Sequence, residues 1–274
     1  DGGSAVGPGI SAAVTFTVYD SIYANTFIDV TTISGASAAK TITFRSAGGD
    51  FTRCALQNPS STSSTDDFVL NLNGCDFVTF EEIGFERTGT NTYCTVVQIT
   101  NDADNNKLIS CRMKGRKMPS NSSLGFAYGI GSAIFFSGNA DSTLIKDNTL
   151  LYGYNGIYCT STCNANTITG NIIDTSGSSG IYMTGQTSLN IIGNTFNMGD
   201  FGPSTGHYTS YGMRIESSPN MLIAKNKVFM FAKNAQVVRA LMVASTTSSA
   251  SAPTRVYNNW VMNAGGTNDC TGLT

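Results

Sequence analysis

Asp66-Asp67, His207 and the run Arg214-Ile215-Glu216 are residues of this 274-residue chain whose types could break a glycosidic bond. One carboxyl would protonate the leaving oxygen while another activates water, and inversion needs the two ~6.5–9.5 Å apart. His207 lies 140 residues after Asp67 (207−67), so in a chain of short repeats they fall several repeats apart. Asp66-Asp67 then reads as a polar turn ahead of the strand-like FVLNL. Elimination from an acidic sugar would use other groups. Arg112 or Lys114 would neutralise the carboxylate, and His207 or Tyr208 would take the proton. His207 is the sole histidine and sits in a Gly/Ser/Thr-rich stretch, where an exposed histidine without a role is the alternative.

Metal chemistry has thin support. Asp102, Asp104 and Asn106 place oxygens at alternate positions, as in the first half of a calcium loop. The sixth-position glycine and the glutamate at position twelve are absent, so a solvated turn is the competing reading. The expectation is no cofactor, with Ca²⁺ the alternative. One histidine and no pair of CxxC knuckles argue against zinc. The seven cysteines read either as buried thiols or as oxidised pairs, and Cys159 and Cys163 in CTSTC are the best-placed candidates for a bridge.

Binding chemistry has more. Arg112, Lys114, Arg116 and Lys117 form the one dense basic cluster, which is either a solvated face or an anionic-glycan contact. Long segments at 114–132 and 198–211 interrupt the repeat at what reads as the same corner. Two short repeats lie between them. Three repeat steps of ~4.8 Å would set the segments ~14 Å apart, a saccharide-wide groove. Tyr152, Tyr154 and Asn155 would line its floor. Phe126, Tyr128, Phe201, His207, Tyr208 and Tyr211 would line its walls, unless those rings only pack the loops down.

What must position these groups is a repeat. Asn148, Asn171, Asn194, Asn226 and Asn259 recur in one pattern: apolar, two spacers, Asn, one spacer, apolar. Their spacings of 23, 23, 32 and 33 residues, with Thr, Ile and Val enrichment, predict stacked strand-bearing coils. Asparagines at one corner of each coil can bond the coils above and below. AIFF (133–136), GIYC (156–159), GIYM (180–183) and GMRI (212–215) mark a second strand per coil, and the residue count leaves room for a third. In the first third the register places Arg45, Ile83 and Arg112 at the asparagine corner.

Charged residues make up only 12% of the chain, with Gly, Ser, Thr and Asn in their place, which suits a β-solenoid and not a helical domain. A net charge of −2 gives no drive towards nucleic acid. No apolar run reaches the length of a membrane span. The chain opens at Asp1 and stops soon after a repeat strand, so it reads as one domain, 1–274, cut from a longer protein.

The stretch from Thr15 to Asp50, with Ser34-Gly35-Ala36-Ser37 and Thr41 to Asp50 as its best-matching parts, resembles the opening coil of right-handed β-helix modules in large secreted proteins of Bacteroidota. Asp20 to Asn25 and Lys40 depart from that pattern. The later coils are similar to pectin-lyase-like repeats, a fold that hosts lyases, hydrolases, adhesins and passive stalks. Asp66-Asp67, Gly206-His207 and Arg214-Ile215-Glu216 follow the order of polygalacturonase motifs but not their spacing. The resemblance implies export by type IX secretion.

The expectation is therefore an all-β, single-stranded right-handed parallel β-helix, extracellular or on the cell surface. Its role would be structural or adhesive, with glycan held in the groove and adjoining domains of the same polypeptide as neighbours. The alternatives are a polysaccharide lyase or glycoside hydrolase acting on an acidic polymer, and a passive spacer.

Overall fold

A computed structural model describes residues 9–63, 67–91, 93–117, 131–174, 177–199, 210–231, 237–246, 248, 250–251, 253–264 and 270–273. The described elements are strands, and three parallel sheets of nine strands each account for nearly all of them. Successive strands of the chain fall in the first, second and third sheet in turn, and then the cycle repeats. The chain is thus a parallel β-helix with three faces, right-handed in agreement with the rule for parallel crossovers.

Period-two alternation points every second side chain inward, and identical register from coil to coil stacks like on like. On the first sheet Phe44, Phe80, Leu108, Ile145, Ile168, Ile191 and Ile223 form one inward column. On the second sheet Leu56, Phe85, Met113, Leu150, Ile173, Phe196 and Val228 form another. These columns meet in one continuous apolar core. Within it the Phe44 and Phe80 rings are stacked 4.9 Å apart. Gly180 and Gly212, at the start of third-sheet strands, let that sheet approach the core closely. A Cβ at Gly180 would meet the Phe196 ring at 2.6 Å, and one at Gly212 would meet Val228 at 2.4 Å.

The corner between first and second sheets is sharp because one residue there takes the left-handed conformation. That residue is Ser110, Asp147, Gly170, Gly193, Lys225 and Asn258 in successive coils. The bend exposes backbone donors and acceptors that no strand partner can reach, and the asparagine just after it satisfies them. The Asn171 side-chain amide donates to Asn194 Oδ1 at 2.9 Å and to the Ile145 carbonyl at 2.9 Å. Its own Oδ1 accepts from the Asn148 N–H at 2.9 Å and from the Asn148 amide at 3.0 Å. The pattern repeats from Asn194 to Asn226 and from Asn226 to Asn259.

In the earlier coils this corner is held by Ile83 and Cys111, and the Cys111 N–H donates to Asn148 Oδ1 at 2.8 Å. Arg45 and Arg112 are not corner residues. Arg45 pairs with Glu81 across the first sheet, and Arg112 is the first residue of a second-sheet strand. The physical reason is an insertion: residues 47–53 lengthen that first corner, so counting from the strand misses Cys54, which precedes Ala55–Pro59.

Burial pushes the thiols of Cys75 and Cys111 up to about 12 and that of Cys94 up to about 11. These three should not react with a thiol-titrating disulfide at neutral pH until denaturant is added. An unfolded thiol ionises near 8.5, so the advantage of keeping these protonated is complete below that pH and is lost as pH rises towards 12. Circular dichroism across that window should show the alkaline loss of stability.

Candidate functional site

The stretch between the second and third sheets varies in length from coil to coil and carries both long segments. Segments 118–130 and 200–209 both fall there, one after Arg112–Lys114 and the other after Thr195–Met198. Each leads into a third-sheet strand, Ile134–Phe136 and Ser210–Glu216 respectively. Two coils, with third-sheet strands Asn155–Cys159 and Ser179–Thr184, separate them. Phe126, Tyr128, Phe201, His207 and Tyr208 lie outside the described residues, as does Asp66.

The four strands carry one outward column in register: Phe135, Tyr158, Tyr182, Arg214. Ring centroids of Phe135 and Tyr158 are 5.8 Å apart, and those of Tyr158 and Tyr182 are 5.3 Å apart, edge to face. Arg214 completes the column, its guanidinium carbon 4.4 Å above the Tyr182 ring and 5.1 Å from the Tyr211 ring. Glu216 fixes it. Arg214 Nε donates to Glu216 Oε1 at 3.0 Å, and the Tyr182 hydroxyl donates to Oε2 at 3.4 Å. Burial works against the Arg214 charge, but the Glu216 hydrogen bond and the surrounding Tyr182, Glu216 and Tyr211 groups outweigh it and hold the guanidinium above its ordinary value. Its Nε is engaged. Its two terminal amines have no partner among the described residues and form a fork suited to a carboxylate.

Tyr158 is only 4% exposed, so the column is a recessed strip and not an open face. Gln98 continues it towards the amino terminus and donates to Ser137 Oγ at 2.8 Å. The strip thus runs from amide to rings to a cation braced by a carboxylate.

The floor expected from the sequence is displaced from this strip. Asn155 is buried at 1% exposure, and its amide lies 3.5 Å from Ser132 Oγ, so it faces inward and offers nothing to a ligand. Tyr152 and Tyr154 are half-buried at the corner itself, where Tyr152 takes a left-handed φ of 63° and the Tyr154 N–H donates to the Gly131 carbonyl. Tyr211, expected in a wall, is 8% exposed and packs beside Arg214.

The basic cluster divides between two places. Arg112 and Lys114 lie on the outer face of the second sheet, both paired with Glu86. Burial lowers the Arg112 charge affinity, with Asp50 opposing it. Neither is a free cation for neutralising a substrate carboxylate. Arg116 sits at the variable corner and donates to the Asn91 carbonyl at 3.0 Å, and Lys117 beside it is exposed.

The calcium set also comes apart. Asn106 is fully buried, accepts from the Val78 N–H at 2.9 Å and donates to the Cys75 carbonyl at 2.7 Å, which takes it out of any ligand shell. Asp104 Oδ1 accepts the Asp141 N–H, while Asp102 is exposed. Burial raises the Asp104 carboxyl, with the charges of Asp141, Asp76 and Asp102 acting in the same direction. No three His, Cys, Asp or Glu among the described residues are grouped to hold a metal ion.

One buried ion pair was not anticipated. Asp67 and Arg87 meet at 2.8 Å, and the Arg87 side chain is wholly buried. Asp67 also accepts from the Thr95 N–H at 2.9 Å and hydroxyl at 3.0 Å, while Arg87 donates to the carbonyls of Pro59, Phe68 and Tyr93. The pair ties second sheet to third at the variable corner, in the coils before the first long segment. Burial raises the Asp67 carboxyl above its usual value even though Arg87 and Thr95 pull it down.

The architecture resembles known proteins at low identity. The pectate lyase Pel9A is 11% identical, with 94% of this chain and 68% of that one covered at a TM-score of 0.46. The Dettilon tailspike protein is 13% identical, with 91% and 55% covered at 0.44. The pectin methylesterase of Aspergillus niger is 8% identical, with 94% and 84% covered at 0.41. No curated protein matches the chain in sequence. No helix among the described residues is long and apolar enough to cross a membrane. Residues 132–271, half of the chain and all of the strip from Phe135 to Arg214, match the model described as the right-handed β-helix region, and the chain belongs to that family.

Proposed function

We propose that this chain is a secreted or cell-surface β-helix segment that holds glycan along the outer strip of its third sheet. Its parent would be a large exported protein of the type IX kind, with adjoining domains on the same polypeptide. The observation that carries the reading is the column Phe135–Tyr158–Tyr182 ending on Arg214, bounded by the two strands that follow the long segments. Aromatic faces suit the apolar faces of sugar rings, and the Arg214 fork suits a sugar carboxylate. The rings accept either kind of sugar, and the fork favours an acidic glycan over a neutral one.

A panel of polyuronates and neutral glucans on an array tests this. Acidic chains should bind best, and binding should weaken as salt shortens the screening length below ~8 Å. Arg214→Ala should lower affinity by about ten- to a hundredfold, in line with ~1.5–3 kcal/mol for a charge-assisted hydrogen bond. Lys146→Ala, on the outer face of the first sheet, should not. Near-ultraviolet absorbance would reveal an unsaturated product, and its growth with time would make the segment a lyase instead of a holder.

A further inference from the structure

Six cysteines have described side chains, and all are buried free thiols. One pair is in sulfur–sulfur contact, Cys159 Sγ 3.7 Å from Cys163 Sγ. Cys159 ends the third-sheet strand that carries Tyr158, and Cys163 opens a two-residue strand paired with Gln186–Thr187. The intervening Thr160 and Thr162 are exposed, so the pair lies just beneath a surface turn. The turn is braced by one side chain. The Gln186 amide donates to the Ser161 carbonyl at 2.8 Å, to the Thr184 carbonyl at 3.0 Å and to Cys159 Sγ at 3.3 Å.

We propose that Cys159 and Cys163 form a reversible dithiol–disulfide site, with Cys163 as the reacting thiolate and Cys159 as the resolving thiol. The sulfurs need approach by less than 2 Å to reach the ~2.05 Å of a disulfide. The hydrogen bond to Cys163, and after it burial, keeps the proton on Cys159, and that same bond lowers the Cys163 thiol below its ordinary value. The co-reactant is a small-molecule disulfide. The Cys163 thiolate attacks one of its sulfurs, a mixed disulfide forms and one small thiolate leaves. Cys159 then loses its proton and attacks Cys163 Sγ, expelling the second small thiol. Two protein thiols are oxidised, and one small disulfide is reduced to two thiols. The closed loop spans only five residues, so the bond restrains the unfolded chain little, which fits a site that opens and closes more than a structural staple. Formation of the bond tethers the strand bearing Tyr158 to the next corner.

Native protein incubated with oxidised glutathione and analysed by intact mass and peptide mapping tests this. The wild type should lose two hydrogens, mapped between Cys159 and Cys163, with Cys54, Cys75, Cys94 and Cys111 left as thiols. Cys159→Ser should accumulate glutathione on Cys163. Cys163→Ser should acquire at least tenfold less on Cys159. Because a serine in the core could prevent folding, the time course of the wild type at neutral pH serves as a second readout, with a glutathione adduct on Cys163 expected to precede the intramolecular bond. A wild type that keeps both thiols, a bond mapped to other cysteines, equal trapping in the two variants, or a first adduct on Cys159 would each overturn the proposal.

Discussion

Arg87→Leu is expected to destabilise the amino-terminal coils by ~3–5 kcal/mol, the cost of leaving a buried partner charge uncompensated. Asp67 would keep Thr95 but lose its 2.8 Å guanidinium partner, and the carbonyls of Pro59, Phe68 and Tyr93 would lose a donor. The Asp67 carboxyl already sits above its usual value because burial outweighs the help it receives. The pair therefore specifies the corner more than it stabilises the fold, and removing both charges together should cost less than removing one. Asp67→Leu combined with Arg87→Leu should recover part of the loss. Urea unfolding of the two single variants and the double variant gives the coupling directly. A double variant as unstable as the sum of the singles would contradict this account of the corner.

Asn171→Leu is expected to cost ~3 kcal/mol, because leucine abolishes bonds on both sides of one coil. The Asn148 N–H and the Ile145 carbonyl would be left buried without partners, each at a cost of ~1–3 kcal/mol. Asn259→Leu should cost less, because the bonds it would break to the Asn226 N–H and the Ile223 carbonyl are only part-buried and no later asparagine bonds to it among the described residues. Stability in a stacked array is carried by nearest-neighbour interfaces, so the Asn171 variant should split the solenoid into two separately melting halves. Hydrogen exchange resolved by peptide would show faster opening at Leu144–Lys146 and Asn190–Ile192 than at Val78–Glu81.

The ladder was legible from sequence because each asparagine follows a bend whose backbone demands it, and that demand recurs at every coil. The same count failed where residues 47–53 lengthened a corner and Cys111 stood where an amide was sought. The strip was half visible. AIFF, GIYC, GIYM and GMRI were identified as strands, and their third letters are Phe135, Tyr158, Tyr182 and Arg214. Alternation says that the third residue faces opposite to the second and fourth, but not which face is the core. Only the register with neighbouring coils decides that, and it turned Asn155 inward while leaving the rings outside. The Asp67–Arg87 pair was illegible because its partners are 20 residues apart on different sheets, with no periodic signal to join them.

The central claim, that the outer strip of the third sheet is the glycan-contact face, is tested most directly by hydroxyl-radical footprinting with an acidic oligosaccharide bound. Phe135 and Tyr182 should lose reactivity on binding, while Trp260 on the second sheet, at 60% exposure, and Tyr19 near the amino terminus, at 75%, keep theirs. Protection confined to Trp260 or to Tyr152 and Tyr154, with Phe135 and Tyr182 unchanged at saturating ligand, would contradict it.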